Sequence, residues 1–215
     1  MGALTYDNLM AGPYPVITSN ETILSGQSVV RGELLGKVEL NTAIGATVMA
    51  ADGGNTGAGV STIDAATPVL AGAKVGTYTV TCTTAVANLG QFTVSDPNGD
   101  VIGLYNVGDT FANEIKFAIA DGAADFVVGD FFTVIVLVGS LKLIPCVSTA
   151  TDGSQNPYGI AGEDIDASLA DKSGTVFLSG EYNYNQMTFG GGDTYATHIT
   201  ALRALNIYLK GSVVQ

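Results

Sequence analysis

Few residues in this chain have the types and spacing that chemistry requires. His198 is the only histidine, so a Ser-His-Asp relay could be built in one place at most. A zinc site would have to combine it with carboxylates and two distant cysteines. Its position in a predicted helix favours an exposed or capping role. We expect no catalytic residues, no metal site and no enzymatic activity.

Two further patterns imitate ligand sites. D-P-N-G-D (96–100) resembles the start of a calcium loop, but Val101 stands where that loop needs glycine and Val107 where it needs glutamate. The run therefore predicts a hairpin turn. G-G-N-T-G-A-G (53–59) resembles a phosphate loop, but no lysine follows, so we interpret it as a linker. No cofactor is expected.

An acidic cluster could imitate a general acid–base pair. It consists of Glu163, Asp164, Asp166 and Asp171. No histidine or metal-ligand spacing accompanies these carboxylates, so they are interpreted as a solvated face or a polar contact between subunits. The chain as a whole has 20 acidic and 8 basic residues, a net charge of −12. Because the basic residues stand singly, nucleic-acid binding is not expected.

The charged fraction is low. Only 13% of residues are charged, against about 25% in ordinary soluble proteins. Surface buried between subunits would explain this, and the composition favours an oligomer. The most apolar stretch, 126–139, is interrupted by Gly129 and Asp130 and is too short to span a bilayer. No membrane partner is expected.

The elements around these residues are predicted to be mainly β. Short runs rich in Val, Ile, Thr, Tyr and Phe lie between many of the 28 glycines. Five predicted strands form a sandwich, with A-D-G-A-A-D (120–125) as a hairpin turn between the last two; they are 76–83, 90–96, 100–107, 114–121 and 130–138. Strands are also predicted at 141–147, 175–183 and 206–210. A helix after Thr194 is predicted from the spacing of Tyr195, Ile199, Leu202 and Leu205.

The two cysteines are expected to stay reduced. Cys82 shares strand parity with Tyr78 and Val80 and is predicted to be buried. Cys146 falls on the other side of the predicted domain boundary. A disulfide between them is the less favoured alternative, and reduced thiols fit assembly in a cytoplasm.

The first 20 residues are predicted to form an extended arm. Pro13 and Pro15 favour extended backbone, and the apolar residues are too frequent for an idle tail. Such a segment suits docking along a sheet edge or groove of a partner. The alternative is a first strand packed on its own domain.

Two distant regions of the chain read as halves of one β-domain. The first contains V-V-R-G-E-L-L-G (29–36), and the second begins with D-G-S-Q-N-P-Y-G-I-A-G-E-D-I-D (152–166). Further matching positions follow, namely Val176, Gly180, Asn183, Leu202, Arg203, Ile207 and Lys210. Together, over 13–49 and 140–213, these motifs resemble the head decoration proteins of lambda-like tailed phages.

The resemblance gives a domain organisation. Residues 1–20 are expected to be the arm, and 21–51 with 140–215 are expected to form a discontinuous, turn-rich β-domain with one short helix. Residues 52–139 are predicted to be an inserted immunoglobulin-like β-sandwich.

The resemblance also implies a function. It implies a homotrimeric cement protein on the outer surface of the expanded virion head, at three-fold positions, which stabilises the shell against packed DNA. The partner is the major capsid protein, and the arm residues expected to contact it are Leu4, Tyr6, Leu9, Met10, Tyr14, Pro15 and Val16. The alternative is a tail, fibre or adhesin component whose insert recognises a host-surface ligand. A β-rich enzyme is a third, much weaker alternative.

Overall fold

The structure is a computed structural model that describes residues 8–211. These residues are mainly β, as the sequence predicts. The strands are β1 (Thr18–Ile23), β2 (Gln27–Val29), β3 (Leu34–Lys37), β4 (Val48–Ala51), β5 (Val60–Ile63), β6 (Gly76–Val86), β7 (Leu89–Ser95), β8 (Val101–Asn106), β9 (Phe111–Ala112), β10 (Lys116–Ala120), β11 (Phe131–Val136), β12 (Leu143–Pro145), β13 (Pro157–Ala161), β14 (Ile165–Ala167), β15 (Lys172–Phe177), β16 (Gly180–Asn183) and β17 (Ile207–Lys210).

The helical part of the structure is small. The α-helix α1 spans Tyr195–Ala204, and two 3-10 turns span Tyr184–Gln186 and Gly190–Gly192. The predicted start after Thr194 is confirmed, and the backbone N–H of Thr194 donates to Thr197 Oγ1 at 3.3 Å. Within residues 8–211, no helix is both long and apolar enough to cross a bilayer.

The chain divides into two compact units. The barrel unit consists of Met1–Val38 and Ser140–Gln215, and the inserted unit consists of Glu39–Gly139. The inserted unit begins ahead of residue 52, the boundary expected from the sequence. The reason is that β4 pairs with β11 along four residues, from Val48↔Ile135 to Ala51↔Phe132.

The barrel unit is organised around a closed barrel with strand order β1-β12-β3-β13-β15. Its longest ladder joins β1 to β15 in antiparallel register, from Thr18↔Phe177 to Ile23↔Lys172. Two small sheets accompany the barrel, the antiparallel pair β14–β2 and the parallel pair β16–β17. The strand predicted at 175–183, ending in a polar turn, is confirmed only in its first part. It breaks after Phe177, and β16 starts at Gly180, whose φ is +144°.

The two halves of the split motif meet in this barrel. β3, from the first half, pairs with β13, from the second half. A Cβ added at Gly36 would lie 1.9 Å from the carbonyl oxygen of Ser154, so no larger residue fits there without backbone movement. The φ of Gly32 is +89°, a conformation that favours glycine. The close contact at Gly36 and the positive φ of Gly32 explain both glycines in V-V-R-G-E-L-L-G.

The inserted unit has two sheets and one core. The five-stranded sheet has the order β4-β11-β6-β7-β8, and the three-stranded sheet has the order β5-β10-β9. Aromatic rings from both sheets meet in the core, for example Tyr105 and Phe117 with centroids 5.1 Å apart. An immunoglobulin-like arrangement stays a prediction.

The connections of the inserted unit differ in part from those expected. The D-P-N-G-D turn is confirmed, since the N–H of Gly99 donates to the carbonyl of Asp96 at 2.9 Å. The second predicted hairpin is wrong, because β10 and β11 belong to different sheets and 120–125 crosses between them.

The chain leaves and re-enters the barrel unit at neighbouring antiparallel strands. β3 pairs with β12, with Lys37 opposite Leu143. Val38 and Lys142 extend this ladder by a hydrogen bond of 3.0 Å. The insertion thus occupies the place of a hairpin turn, where added residues disturb few contacts.

Candidate functional site

The predicted arm is the candidate site, and the structure describes it from Asn8 onward. Leu4 and Tyr6 lie outside the described residues. We call residues 8–17 the arm segment. It has two parts that differ in exposure, a fastened part at 8–11 and an exposed part at 12–17.

The fastened part pairs with β16. Met10 forms an antiparallel bridge with Tyr182. The N–H of Ala11 donates to the carbonyl of Glu181 at 2.8 Å, and the N–H of Asn183 donates to the carbonyl of Leu9 at 2.8 Å. The Leu9 side chain is only 3% exposed and belongs to a core cluster of the barrel unit. Leu9 and Met10 therefore pack against their own unit.

Ser179 holds the far end of the arm segment. Its Oγ donates to the carbonyl of Pro15 at 2.9 Å and accepts from the N–H of Ile17 at 3.0 Å. The N–H of Leu178 also donates to the carbonyl of Ile17 at 2.8 Å. Because Ser179 is itself buried, the backbone at 15 and 17 is held against the barrel unit while the side chains face outward.

Four side chains of the exposed part form what we call the arm surface: Tyr14, Pro15, Val16 and Ile17. All four are exposed, and Ile17, at 60%, is the most exposed of its large apolar side chains. The Tyr14 ring contacts the ring of Tyr208 edge-on, with centroids 5.0 Å apart. A row of apolar side chains on a fastened backbone can bury surface against a partner without first ordering the chain. Ile17 was absent from the predicted contact residues, although its apolar type beside Val16 was a usable signal.

The structure corrects the expectation for His198. The side chain is 3% exposed rather than exposed to solvent, and its Nε2 lies 3.0 Å from Asp193 Oδ2. Asp193 also accepts from the Oγ and the N–H of Ser148 at 2.6 and 2.7 Å. These bonds, led by that from the Ser148 side chain, lower the pKa of the Asp193 carboxyl.

The order of groups in this cluster argues against a nucleophile. The carboxylate of Asp193 lies between Ser148 and His198, so the serine donates to the acid and not to the histidine. A relay needs the histidine in the middle. These contacts connect the start of α1 to the segment that contains Ser148, which is a structural role.

The four carboxylates of the acidic cluster each bind a different partner within the barrel unit. Asp164 accepts from the N–H of Arg31 at 2.8 Å, and Glu163 accepts from the N–H of Thr175 at 2.8 Å. Asp171 pairs with Lys142, and this bond is the main reason that its pKa is lowered. The side chains therefore tie neighbouring segments of the barrel unit together. Asp166 makes a local contact instead, since it accepts from the N–H of Ser168 two residues further along the chain.

In the run that resembles a phosphate loop, backbone N–H groups donate to a carboxylate of the protein itself. The carboxylate of Asp130 accepts from the N–H groups of Thr56 and Gly57, both at 2.9 Å, and of Val127 at 3.0 Å. Burial alone raises the pKa of this carboxyl, but the three backbone donors outweigh it and the pKa is lowered. An internal carboxylate thus takes the place that an anion would need.

Cysteines and metal ligands add no further site in the described part of the chain. Cys82 and Cys146 are both buried and free, which confirms the predicted burial of Cys82. Burial raises the pKa of the Cys146 thiol to about 12, so it stays protonated at neutral pH. Among residues 8–211, no group of three or more His, Cys, Asp or Glu side chains is arranged to hold a metal ion.

Solved structures offer only weak likenesses. Two crystal structures of FlgL from Xanthomonas campestris match at 22% and 20% identity over 49% and 52% of this chain, each with a TM-score of 0.33. FlgK, the flagellar hook junction protein of Burkholderia pseudomallei, matches at 18% identity over 64% of this chain, also with a TM-score of 0.33. The matches span 33% of FlgL and 23% of FlgK. At these TM-scores they support no inference about fold or function.

Sequence comparison is more informative. No curated protein matches the chain. Residues 41–208 match the family model described as bacteriophage lambda head decoration protein D. The matched range starts after the first group of motifs; it includes the inserted unit from residue 41 onward and the second group of motifs except Lys210. Because it covers well over half of the chain, the protein belongs to the bacteriophage lambda head decoration protein D family.

Proposed function

We propose that this decoration protein binds the outer surface of the expanded phage head as a homotrimer at three-fold positions and stabilises the shell against the pressure of packed DNA. The observation that carries the proposal is the family match over residues 41–208. The partner is the major capsid protein. The role is mechanical, since each bound copy would hold adjacent capsid subunits together.

The arm surface is the proposed capsid contact. Tyr14, Pro15 and Val16 were predicted to contact the capsid, and Ile17 joins them because it is the most exposed of the large apolar side chains there. Leu9 and Met10 are better assigned to fastening the arm, since they pack within the barrel unit. Leu4 and Tyr6 remain proposed contacts from outside the described residues.

Trimerisation would strengthen this contact. An arm surface of four side chains is small and gives a weak contact alone. Three linked copies raise the effective concentration of the second and third arms once the first has bound. The net charge of −12 also suits a protein on the outside of the shell, because an acidic protein does not compete for the packaged DNA.

The test is co-sedimentation of the full chain with expanded, undecorated heads of its own phage. We expect saturable binding in multiples of three copies per site. Ile17→Ser should weaken binding by about tenfold, the effect of losing about 1.4 kcal/mol of apolar contact. The matched control is Leu169→Ser, which removes an apolar side chain that is 97% exposed in the same unit and should bind as the unchanged protein does.

Two outcomes would count against the proposal. Equal weakening by Ile17→Ser and Leu169→Ser would remove the arm surface as the contact. No binding by the intact, folded protein would contradict the cement role and favour the alternative of an adhesin component that recognises the host through the inserted unit.

A further inference from the structure

The five-stranded sheet of the inserted unit has an unusual distribution of charge. None of its strands, β4, β6, β7, β8 and β11, contains Asp, Glu, Lys or Arg. Yet the inserted unit, 39–139, has ten acidic and two basic residues, a net charge of −8. All twelve charged residues of the unit therefore lie outside the five-stranded sheet, in the loops or in the three-stranded sheet.

The outward side of this sheet, which we call the outer face, is rich in threonine. Along β6, Tyr78, Val80 and Cys82 point into the core, so the threonines between them point outward. Strand register places Thr133, Thr79 and Ser95 side by side. The next row contains Thr81, Thr93 and Leu104.

Apolar side chains complete the outer face. Leu104 is 61% exposed and Ile135 is 42% exposed. Isolated exposed apolar residues are ordinary. Here they share one uncharged surface with the threonine rows, and an uncharged surface of this kind is typical of the centre of protein–protein contacts, where charged residues are depleted.

We propose that the outer face is a contact surface between two copies of this chain. The first argument is electrostatic. Any approach through the loops or the other sheet brings together surfaces that share the net charge of −8, whereas the outer face can meet its copy without placing like charges in the contact.

The second argument concerns hydrogen bonding. A threonine hydroxyl both donates and accepts, so a row of threonines can pair with an identical row. Carboxylates and ammonium groups cannot do this. A contact that uses the same surface on both copies requires such self-complementarity.

The third argument concerns size. Five strands spaced about 4.8 Å apart, with roughly 20–25 Å of strand length, give a face of roughly 500 Å² per copy. Two copies would bury roughly 1,000 Å² in total, near the lower limit for a specific interface. The contact is therefore weak and reversible in solution, and it becomes effective where many copies are held close together. It does not depend on the proposed function, because it can be measured without capsids.

The test is sedimentation equilibrium of the full chain over a wide range of concentrations. Thr79→Glu puts a negative charge at the centre of the outer face in each copy, and Thr133→Glu repeats the change at the neighbouring position. Thr62→Glu is the matched control, because Thr62 is an exposed strand threonine in the three-stranded sheet. Circular dichroism and thermal unfolding of each variant establish that it is folded.

We expect the weight-average mass of the unchanged protein and of Thr62→Glu to rise with concentration. Thr79→Glu and Thr133→Glu should each lower the association constant of this step by at least about tenfold, while any trimer formed by other surfaces persists. A mass that does not rise with concentration would overturn the proposal. So would an equal effect of Thr79→Glu and Thr62→Glu, because that result would reflect total charge and not the outer face.

Discussion

The barrel unit and the inserted unit are held together over different distances along the chain. In the barrel unit, Ser179 fastens Ile17 across 162 positions, and β1 pairs with β15 throughout its length. In the inserted unit, β6 pairs with β7 and β7 with β8 in chain order, although the short strands β4 and β5 pair with the distant β11 and β10. The barrel unit depends on close backbone contacts between distant segments, such as that of Gly36 with Ser154. The inserted unit depends on one continuous aromatic core.

This difference explains how the insertion is accommodated. The barrel unit is interrupted where two antiparallel neighbours, β3 and β12, would otherwise be joined by a turn. Strands paired in this way keep the ends of the insertion close together, which folded inserts tolerate well. Damage to one unit should therefore leave the other largely intact, and the following variants test that expectation.

The largest effect is expected in the aromatic core. Phe92 is fully buried, and its ring centroid lies within 5.1–6.3 Å of those of Tyr105, Phe126 and Phe132. Phe92→Ala should destabilise the inserted unit by about 3–5 kcal/mol. Hydrogen exchange measured by mass spectrometry should show lost protection in 39–139 and preserved protection in the barrel strands. Val60→Ala, at an exposed position, is the control, and equal loss in both units would contradict their independence.

The next effect is expected at the meeting point of the split motif. Gly36→Ala places a Cβ against the backbone of Ser154, and overpacking of this kind costs about 1–3 kcal/mol. The loss should appear in the barrel unit, seen as a lower urea midpoint for the barrel strands. Gly53→Ala has open space around the added Cβ and should be neutral. A neutral Gly36→Ala would mean that Gly36 and Ser154 pack less tightly than the structure shows.

A smaller effect is expected at the arm. Ser179→Ala removes two hydrogen bonds to the arm segment, each of which contributes about 1 kcal/mol. The amide of Ile17 should exchange faster while the barrel core is unaffected. Ser173→Ala, which removes an exposed hydroxyl of β15, is the control. Unchanged exchange at Ile17 would show that Ser179 does not hold the arm.

The smallest effects are differences in pH dependence, and they have opposite signs in the two units. In the inserted unit, the hydrogen bond from Lys74 lowers the pKa of Asp96. Asp96 therefore stabilises the fold above the unfolded pKa of about 3.9, and this contribution is lost as the pH falls through the lower folded pKa. Asp96→Asn should be less stable than the unchanged protein at pH 7, and the difference should shrink below about pH 4.

In the barrel unit, burial raises the pKa of Glu33, although its Oε2 accepts from the N–H of Val30 at 3.0 Å. A raised carboxyl pKa means that stability is gained as the pH falls through the folded pKa towards the unfolded value of about 4.3. Glu33→Gln should therefore be more stable than the unchanged protein at pH 7, with a difference that also shrinks on acidification. Urea unfolding of both variants between pH 3.5 and 7 measures this. The same sign for both would contradict the assignment.

Much of the inserted unit could be predicted because its signals are local. Alternation in T-Y-T-V-T-C identifies β6, and Pro97 with Gly99 identifies the turn that follows β7. The partner of a strand is less visible, since alternation gives the buried face and not the neighbour. For that reason local signals predict a hairpin at 120–125, where the chain crosses between the sheets, and they place the domain boundary after the short β4.

The candidate site was predictable in outline. The apolar residues and prolines of the arm are visible in the sequence. Its division into a fastened and an exposed part is not, because it depends on Ser179 and β16, which lie far along the chain. The burial of His198 depends in the same way on Asp193 and Phe189, whose ring is stacked with the imidazole. A single histidine on a short helix gives no sign of this.

We propose that the protein decorates a phage head through its arm surface. Cryo-electron microscopy of expanded, undecorated heads mixed with the full chain tests it most directly. We expect ordered density in groups of three at the three-fold positions, with residues 12–17 against the capsid protein. Heads without ordered added density, or density attached only through residues 39–139, would contradict it.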